Sequence, residues 1–337
     1  MYQSLHDTCH AAKQPETLCC RNCGKPLEHV FTDLGISPLC GNFLTAKQLR
    51  EMEAFYPLCA YVCSHCYLVQ VQDFETPEAI FREYAYFSSY SDSWLEHARN
   101  YSHAVIDRFG LNQDSFVVEI ASNDGYLLKN FVAKGIPVLG IDPARNVAEA
   151  AQEQGVATLT EFFSSTLASE LQQTRSANLM IANNVLAHVP NINDFVAGFA
   201  TLLAEQGVAT FEFPHLLNLI EYLQFDTIYH EHFSYLSLVA LEGIFARHGL
   251  RVFDVETLST HGGSLRLYVT HTQASHAETP HVEGIRTRER KAGLHTLEGY
   301  LNFDNKVRDL KHKLMRLLLD LNAQGKTVVG YGAPGKG

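Results

Sequence analysis

From residue 115 onward, short apolar runs alternate with stretches whose apolar positions recur every three or four residues. Those two periods separate buried strands from helices packed on one face. The runs lie at 116–120, 138–142, 179–182 and 207–213, and the helical stretches at 146–154 and 192–204, with another helix beginning near Tyr126. Strand after helix after strand predicts a parallel sheet covered on both faces, with ligand residues at the carboxyl ends of its strands. Upstream, 68–71 reads as a short strand, Thr76-Pro77-Glu78 as a helix start with proline in the first turn, and 93–109 as a helix with Trp94, Ala98, Tyr101 and Val105 on one face. Far downstream, a helix at 303–323 leads to a strand at 327–330 and a glycine-rich turn at 331–337.

At 337 residues and 46% hydrophobic, the chain can bury a sizeable core and divides into two or three domains. No stretch approaches about 18 consecutive apolar residues, so no membrane span is expected. The first thirteen residues contain no apolar segment of the secretory kind, and a cytoplasmic protein is expected. A formal charge of -11 opposes nucleic-acid binding, although 17 histidines soften it near pH 6.

Eight cysteines, at 9, 19, 20, 23, 40, 59, 63 and 66, all precede residue 67. A disulfide framework would rarely leave the rest of such a chain untouched. Cys20-x-x-Cys23 and Cys63-x-x-Cys66 form two knuckles with 39 residues between them, long enough for a small β-rich insert. Two knuckles supply the four soft ligands of a closed tetrahedral zinc site. A redox motif would need only one, placed at a helix start. Cys19, Cys59 or His65 could substitute for a neighbouring ligand, and Cys9 and Cys40 read as ordinary thiols.

The first strand-to-helix turn, 119–125, carries Glu119, Ala121, Asn123, Asp124 and a single glycine, Gly125. A pyrophosphate needs close backbone approach at several glycines and no competing anion, and Glu119 and Asp124 would repel it. A cofactor without phosphate and with a positive sulfonium suits these carboxylates better, so S-adenosylmethionine is preferred to a dinucleotide. Asp142, followed by Pro143, ends the next strand, where a carboxylate can accept from both ribose hydroxyls. The stretch 182–190, beginning Ala182, Asn183, Asn184, would line the methyl side of the cofactor.

Residues 229–232 place Tyr229, His230, Glu231 and His232 in one apolar stretch, where pKa values move and acid/base chemistry becomes possible. The segment 84–94 combines three tyrosines, a phenylalanine, four serines and the only tryptophan. It suits either packing between domains or a lid over a small-molecule site.

Taken together, segments 34–39, 62–70, 86–94, 119–125, 229–235, 261–266 and 330–337 resemble, in order from end to end, the nucleotide-sugar C-methyltransferases of deoxysugar biosynthesis. The resemblance implies an α/β protein: a Rossmann-like S-adenosylmethionine methyltransferase domain at 112–275, a zinc-binding domain at 14–75, an aromatic-rich linker and helix at 76–111, and the start of a nucleotide-sugar-binding domain at 276–337. That last α/β segment is expected to be truncated, because the family continues beyond the anion loop suggested by 331–337. By the same resemblance, His232 is the base that deprotonates a sugar carbon beside a ketone, with Glu231 and Tyr229 shaping the site. Tyr86 and Asn184 lie near the sugar, His261, Gly262, Gly263, Ser264 and Arg266 line the substrate pocket, and Cys20, Cys23, Cys63 and Cys66 hold zinc. The partner implied is a small nucleotide-linked sugar. Rival readings are an O- or N-methyltransferase on another metabolite and an inactive zinc-containing interaction scaffold.

Overall fold

The computed structural model describes residues 18–40, 44–74, 76 and 86–330. Its strands are β1 (His29–Ser37), β2 (Tyr56–Val62), β3 (Val69–Val71), β4 (Val117–Ile120), β5 (Val138–Ile141), β6 (Thr158–Leu159), β7 (Ala177–Asn183), β8 (Leu203–Pro214), β9 (Ser234–Tyr235), β10 (Leu250–Leu258) and β11 (Ser264–His271). Seven of them form one sheet in the order β10-β11-β8-β7-β4-β5-β6. The predicted parallel pairing holds from β4 through β8. Beyond it, β11 inserts antiparallel between β8 and β10, an extension the alternation upstream did not foretell.

All four residues of β4 are buried, as a central parallel strand covered on both faces should be. Along β7 the side chains alternate between two cores. Met180 and Ala182 face Phe195, Phe199 and Phe245, whereas Leu179 and Ile181 face Ala98, Tyr101 and Val105. Burying each large apolar side chain contributes about 1.5–3 kcal/mol, so this two-sided packing fixes which strand ends come together. The helix Asp92–Phe109 begins where Ser91 Oγ accepts from the Trp94 N–H at 3.3 Å and ends at Gly110 in the left-handed conformation. Its register sets His97 against Glu212 near the carboxyl end of β8 and Trp94 against His261 in the turn before β11.

Chain order runs outward from β4 to β6, then returns to β7 on the other side of β4. The reversal opens the crevice in which open α/β sheets bind ligands. The smaller sheet, β1-β2-β3-β9, is antiparallel, with Cys63 and Cys66 in the turn that joins β2 to β3. Its fourth strand is not local: β9 comes from just after His232 and pairs Val69 with Tyr235 and Gln70 with Ser234. Phe31 of this sheet stacks on Phe303 at 4.4 Å between ring centroids, which anchors the helix Phe303–Ala323.

Two local expectations differ from the structure. Residues 327–330 form no strand: Val329 is 83% exposed, and no strand lies beside them among the described residues, so they have no hydrogen-bonding ladder to join. After Tyr126 the chain turns before a helix of four residues, Lys129–Val132. The expected helix start at Pro77 and the turn at 331–337 lie outside the described residues, as does the beginning of the aromatic segment at Tyr84. No helix among the described residues is long and apolar enough to cross a membrane.

Candidate active site

The turn after β4 is built from backbone conformations that L-residues avoid. Ala121 has φ 55°, Asn123 φ 49° and Gly125 φ 76°, and a Cβ on Gly125 would approach Val156 Cγ2 to 3.0 Å. Such conformations persist where surrounding contacts over-determine them, often at ligand sites. Here the contact is Asp142: its Oδ2 accepts from the Asn123 N–H and its Oδ1 from the Ala144 N–H, each at 2.9 Å. One carboxylate, flanked by Pro143, therefore joins the turns after β4 and β5. Across the crevice, Asn183 ends β7, and Asn184, also left-handed at φ 56°, donates its N–H to the Glu212 carbonyl of β8 at 2.7 Å.

This crevice is rich in acceptors that lack donors. Glu119 Oε2, Ser122 Oγ, Asp124 Oδ1 and Asn183 Oδ1 are buried without a protein partner. Burial, followed by the carboxylates of Asp142 and Asp124, pushes the Glu119 carboxyl well above its usual range. Burial also lifts Asp142, despite the N–H groups of Ala144 and Asn123. A ligand with ammonium and hydroxyl donors and a positive centre would satisfy these groups, whereas a pyrophosphate would meet carboxylates. This set of acceptors fits S-adenosylmethionine.

His232 lies at the same end of the sheet. Its Nδ1 is 2.9 Å from the Thr227 carbonyl, which can only accept, so Nδ1 carries the proton and Nε2 is the basic nitrogen of the neutral ring. Nε2 is 2.8 Å from the Tyr229 hydroxyl, and the two rings are 4.0 Å apart. On the other side, the His188 ring meets His232 edge to face at 4.6 Å. Burial pushes His188 down to about 4, so it stays neutral where an imidazole base works. His188 closes the turn Leu186–His188 after β7 and thereby links His232 to the crevice. It lies within the stretch expected to line the methyl side of the cofactor, but a single histidine in a loop carried no signal of its own. Glu231, beside His232, is pushed up to about 7 by burial. His230 turns away, toward the Pro57 carbonyl at 3.1 Å.

The segment containing Tyr86 lies over the turn after β4. Asn123 Nδ2 donates to the Tyr86 carbonyl at 3.1 Å, Asn123 Oδ1 accepts from the Ser88 N–H at 2.9 Å, and Asp124 Oδ2 accepts from the Ser89 N–H at 3.1 Å. Opposite it, the turn preceding β11 is pinned from below, because Asn218 Nδ2 donates to the Gly263 carbonyl and Gln224 Nε2 to the Gly262 carbonyl. The His261 ring meets Trp94 edge on at 5.4 Å, and Ser264 Oγ donates to the Thr260 carbonyl. Arg266 points into the sheet: Nη2 reaches Glu212 at 2.6 Å, Nη1 reaches Glu256 at 2.8 Å, and its guanidinium lies 4.4 Å from the Tyr101 ring. Burial alone would raise Glu212, but His97 and Arg266 outweigh it and hold this carboxyl below its usual range. Glu212 and His97 were not legible as site residues, since a buried acid in a strand and its partner 115 positions away leave no local pattern.

Residues 259–337 match the family model described as C-methyltransferase C-terminal domain, 94–255 that of a methyltransferase domain, and 20–81 that of a zinc binding domain. C-methyltransferase NovU of Streptomyces niveus is 36% identical over 319 residues, covering 94% of this chain and 76% of NovU. The chain belongs to the C-methyltransferase family. It is an S-adenosylmethionine-dependent methyltransferase. Among solved structures, magnesium protoporphyrin IX methyltransferase from Synechocystis PCC 6803 with bound SAH aligns at TM-score 0.43 and 16% identity, covering 52% of this chain and 83% of that one. An S-adenosylmethionine-dependent methyltransferase from Clostridium acetobutylicum aligns at TM-score 0.43 and 13% identity, covering 54% and 93%.

In this C-methyltransferase the sulfurs of Cys20, Cys23, Cys63 and Cys66 all lie within 4.8 Å of one another and could hold a zinc ion. The pairs Cys20–Cys66 and Cys23–Cys63 are 3.5 Å apart, close to the roughly 3.8 Å that four sulfurs at about 2.3 Å from a tetrahedral zinc would adopt. Gln70 Nε2 donates to Cys20 Sγ at 3.1 Å and supports one thiolate. Cys19, Cys59 and His65 are not in this group.

Proposed function

We propose that this methyltransferase removes a proton from the carbon beside a ketone in a nucleotide-linked deoxysugar, in its thymidine diphosphate form, and methylates that carbon. The observation that carries the reading is the His232 ring, whose tautomer is set by the Thr227 carbonyl so that basic Nε2 faces the Tyr229 hydroxyl. A carbon nucleophile must be made by deprotonation, and a neutral imidazole with a fixed tautomer is suited to that. Tyr229, already a donor at Nε2, can turn its hydroxyl to the developing enolate oxygen. Asn184 and Tyr86 flank the sugar, and the turn 261–264 closes the substrate side, with Arg266 supporting it through Glu212 and Thr260. Glu119, Asp142 and Asn183, with the turn 121–125, would hold S-adenosylmethionine. When bound, that cofactor supplies an electrophilic methyl group.

The test is to supply the keto-deoxysugar nucleotide and methyl donor labelled with carbon-13 at the methyl group. Label joined to a sugar carbon supports the reading; label on oxygen or nitrogen contradicts it. Asp142→Asn should weaken S-adenosylmethionine binding about tenfold in calorimetry, the loss of one charge-assisted hydrogen bond to ribose. Unchanged affinity would remove Asp142 from the cofactor site.

Glu231 gives a pH prediction. Its folded pKa, about 7, exceeds the ordinary carboxylate value, so its favourable contribution is complete below about pH 4.5, declines as pH rises, and is gone above about 7. Glu231→Gln should therefore melt with wild type near pH 4 and above wild type near pH 8. Melting curves that run parallel across that range would exclude a desolvated carboxyl here.

A further inference from the structure

Arg21 sits between two zinc ligands, yet its side chain leaves the knuckle. Its backbone N–H donates to Gln70 Oε1 at 2.9 Å, and its guanidinium runs inward, with the side chain 9% exposed. There Nη1 donates to the Pro190 carbonyl at 2.9 Å, and Nη2 to the Val71 carbonyl at 2.6 Å and to Asp73 Oδ1 at 2.7 Å. The guanidinium carbon stands 5.4 Å from the centroid of the Phe233 ring. Three of these contacts, with Pro190, Val71 and Phe233, are a step from the proposed base. Pro190 follows His188 by two residues, Phe233 follows His232 directly, and the Val71 N–H donates to the Phe233 carbonyl at 3.1 Å. The knuckle itself is anchored from the other side, because Asn193 Nδ2 donates to the carbonyls of Arg21 and Asn22, and Arg247 Nη1 donates to Asn22 Oδ1 at 2.7 Å.

We infer that Arg21 is a positioning residue for proton abstraction: from a fixed base in the zinc knuckle, one planar cation holds the His188–Pro190 loop and the His232–Phe233 loop against each other. The inference rests on the reading of His232 as base. The loops also touch through the His188 ring, which meets His232 edge to face at 4.6 Å and bonds to the Glu231 backbone, and Arg21 adds a second tie that fixes their spacing from the other side. A guanidinium reaches several acceptors in one plane, whereas a lysine ammonium is a point donor on a flexible stem. Groups that orient a reacting residue through such contacts typically change rates by about 10–100-fold when removed.

Arg21→Met and Arg21→Lys should be prepared in the full zinc-loaded chain, beside His232→Ala. Four quantities are measured: zinc content, S-adenosylmethionine affinity, the rate of deuterium uptake from solvent at the sugar carbon without methyl donor, and the nitrogen-15 spectrum of the histidine rings. Arg21→Met should retain zinc and keep cofactor affinity and sugar KM within about threefold, while exchange slows about 10–100-fold. The His232 ring signals should move from one fixed tautomer toward an average. Arg21→Lys should fall between. Wild-type exchange and an unchanged ring spectrum in zinc-loaded Arg21→Met would overturn the inference. If the methionine variant loses zinc, the lysine variant decides: slowed exchange with zinc retained supports positioning, and a wild-type rate overturns it. A His232→Ala chain that still exchanges would instead refute the base, and the ring spectra of the Arg21 variants would then decide separately whether Arg21 holds His232.

Discussion

Replacing His232 with alanine should lower methyl transfer by about 10²–10⁴-fold, the range typical of a removed general base, while leaving S-adenosylmethionine affinity within about twofold. The separation follows from the geometry. The acceptors suited to the cofactor, Glu119, Asp142 and Asn183, lie at the carboxyl ends of β4, β5 and β7, whereas His232 belongs to the loop entering β9 and is held by Thr227 and Tyr229. Removing its ring deletes the proposed proton acceptor without disturbing the Asp142 clasp. Single-turnover kinetics with calorimetry on the same preparation check both halves. A large loss of cofactor affinity would place the ring against the cofactor rather than the substrate.

The second large effect concerns the metal. Cys63→Ser, or stripping zinc with a chelator, should lower the melting temperature by about 10 °C or more, because closed thiolate sites contribute several kcal/mol of folding energy. Cys20 and Cys63 belong to the same buried cluster as Leu236, Leu238 and Phe245, so loss of zinc opens the main core as well as a small appendage. The loop carrying His232 should loosen at the same time, since β9 has β3 as its strand partner and β3 begins three residues after Cys66. Hydrogen exchange of the 233–236 amides, with and without chelator, reads this directly. Protection that survives zinc removal would show that the two sheets are energetically independent.

What the sequence revealed divides along a physical line. Parallel strands buried on both faces announce themselves as apolar runs, so β4, β5, β7 and β8 were legible, as was the capped helix Asp92–Phe109. The cysteine knuckles were legible because metal ligands need a fixed local spacing. By contrast, β11 overlaps a stretch read as pocket lining, and its place beside β8 depends on partners 50 to 60 residues away. The pairing of β9 with β3 is likewise a long-range contact of only two residues, too short to carry a period. Residues 327–330 show the reverse case, a strand-like composition without a strand to pair with among the described residues. Among site residues, the turn at 119–125 and the segment 229–232 were visible as clusters. His188, His97 and Glu212 were not, because each becomes significant only through the residue it meets in space.

The most direct measurement is proton exchange at the sugar carbon. A keto-deoxysugar nucleotide incubated in deuterium oxide with the enzyme and no methyl donor should take up one deuterium beside the ketone, and His232→Ala should suppress that uptake to the uncatalysed rate. Uptake at the wild-type rate in His232→Ala would contradict the assignment of this imidazole as the base.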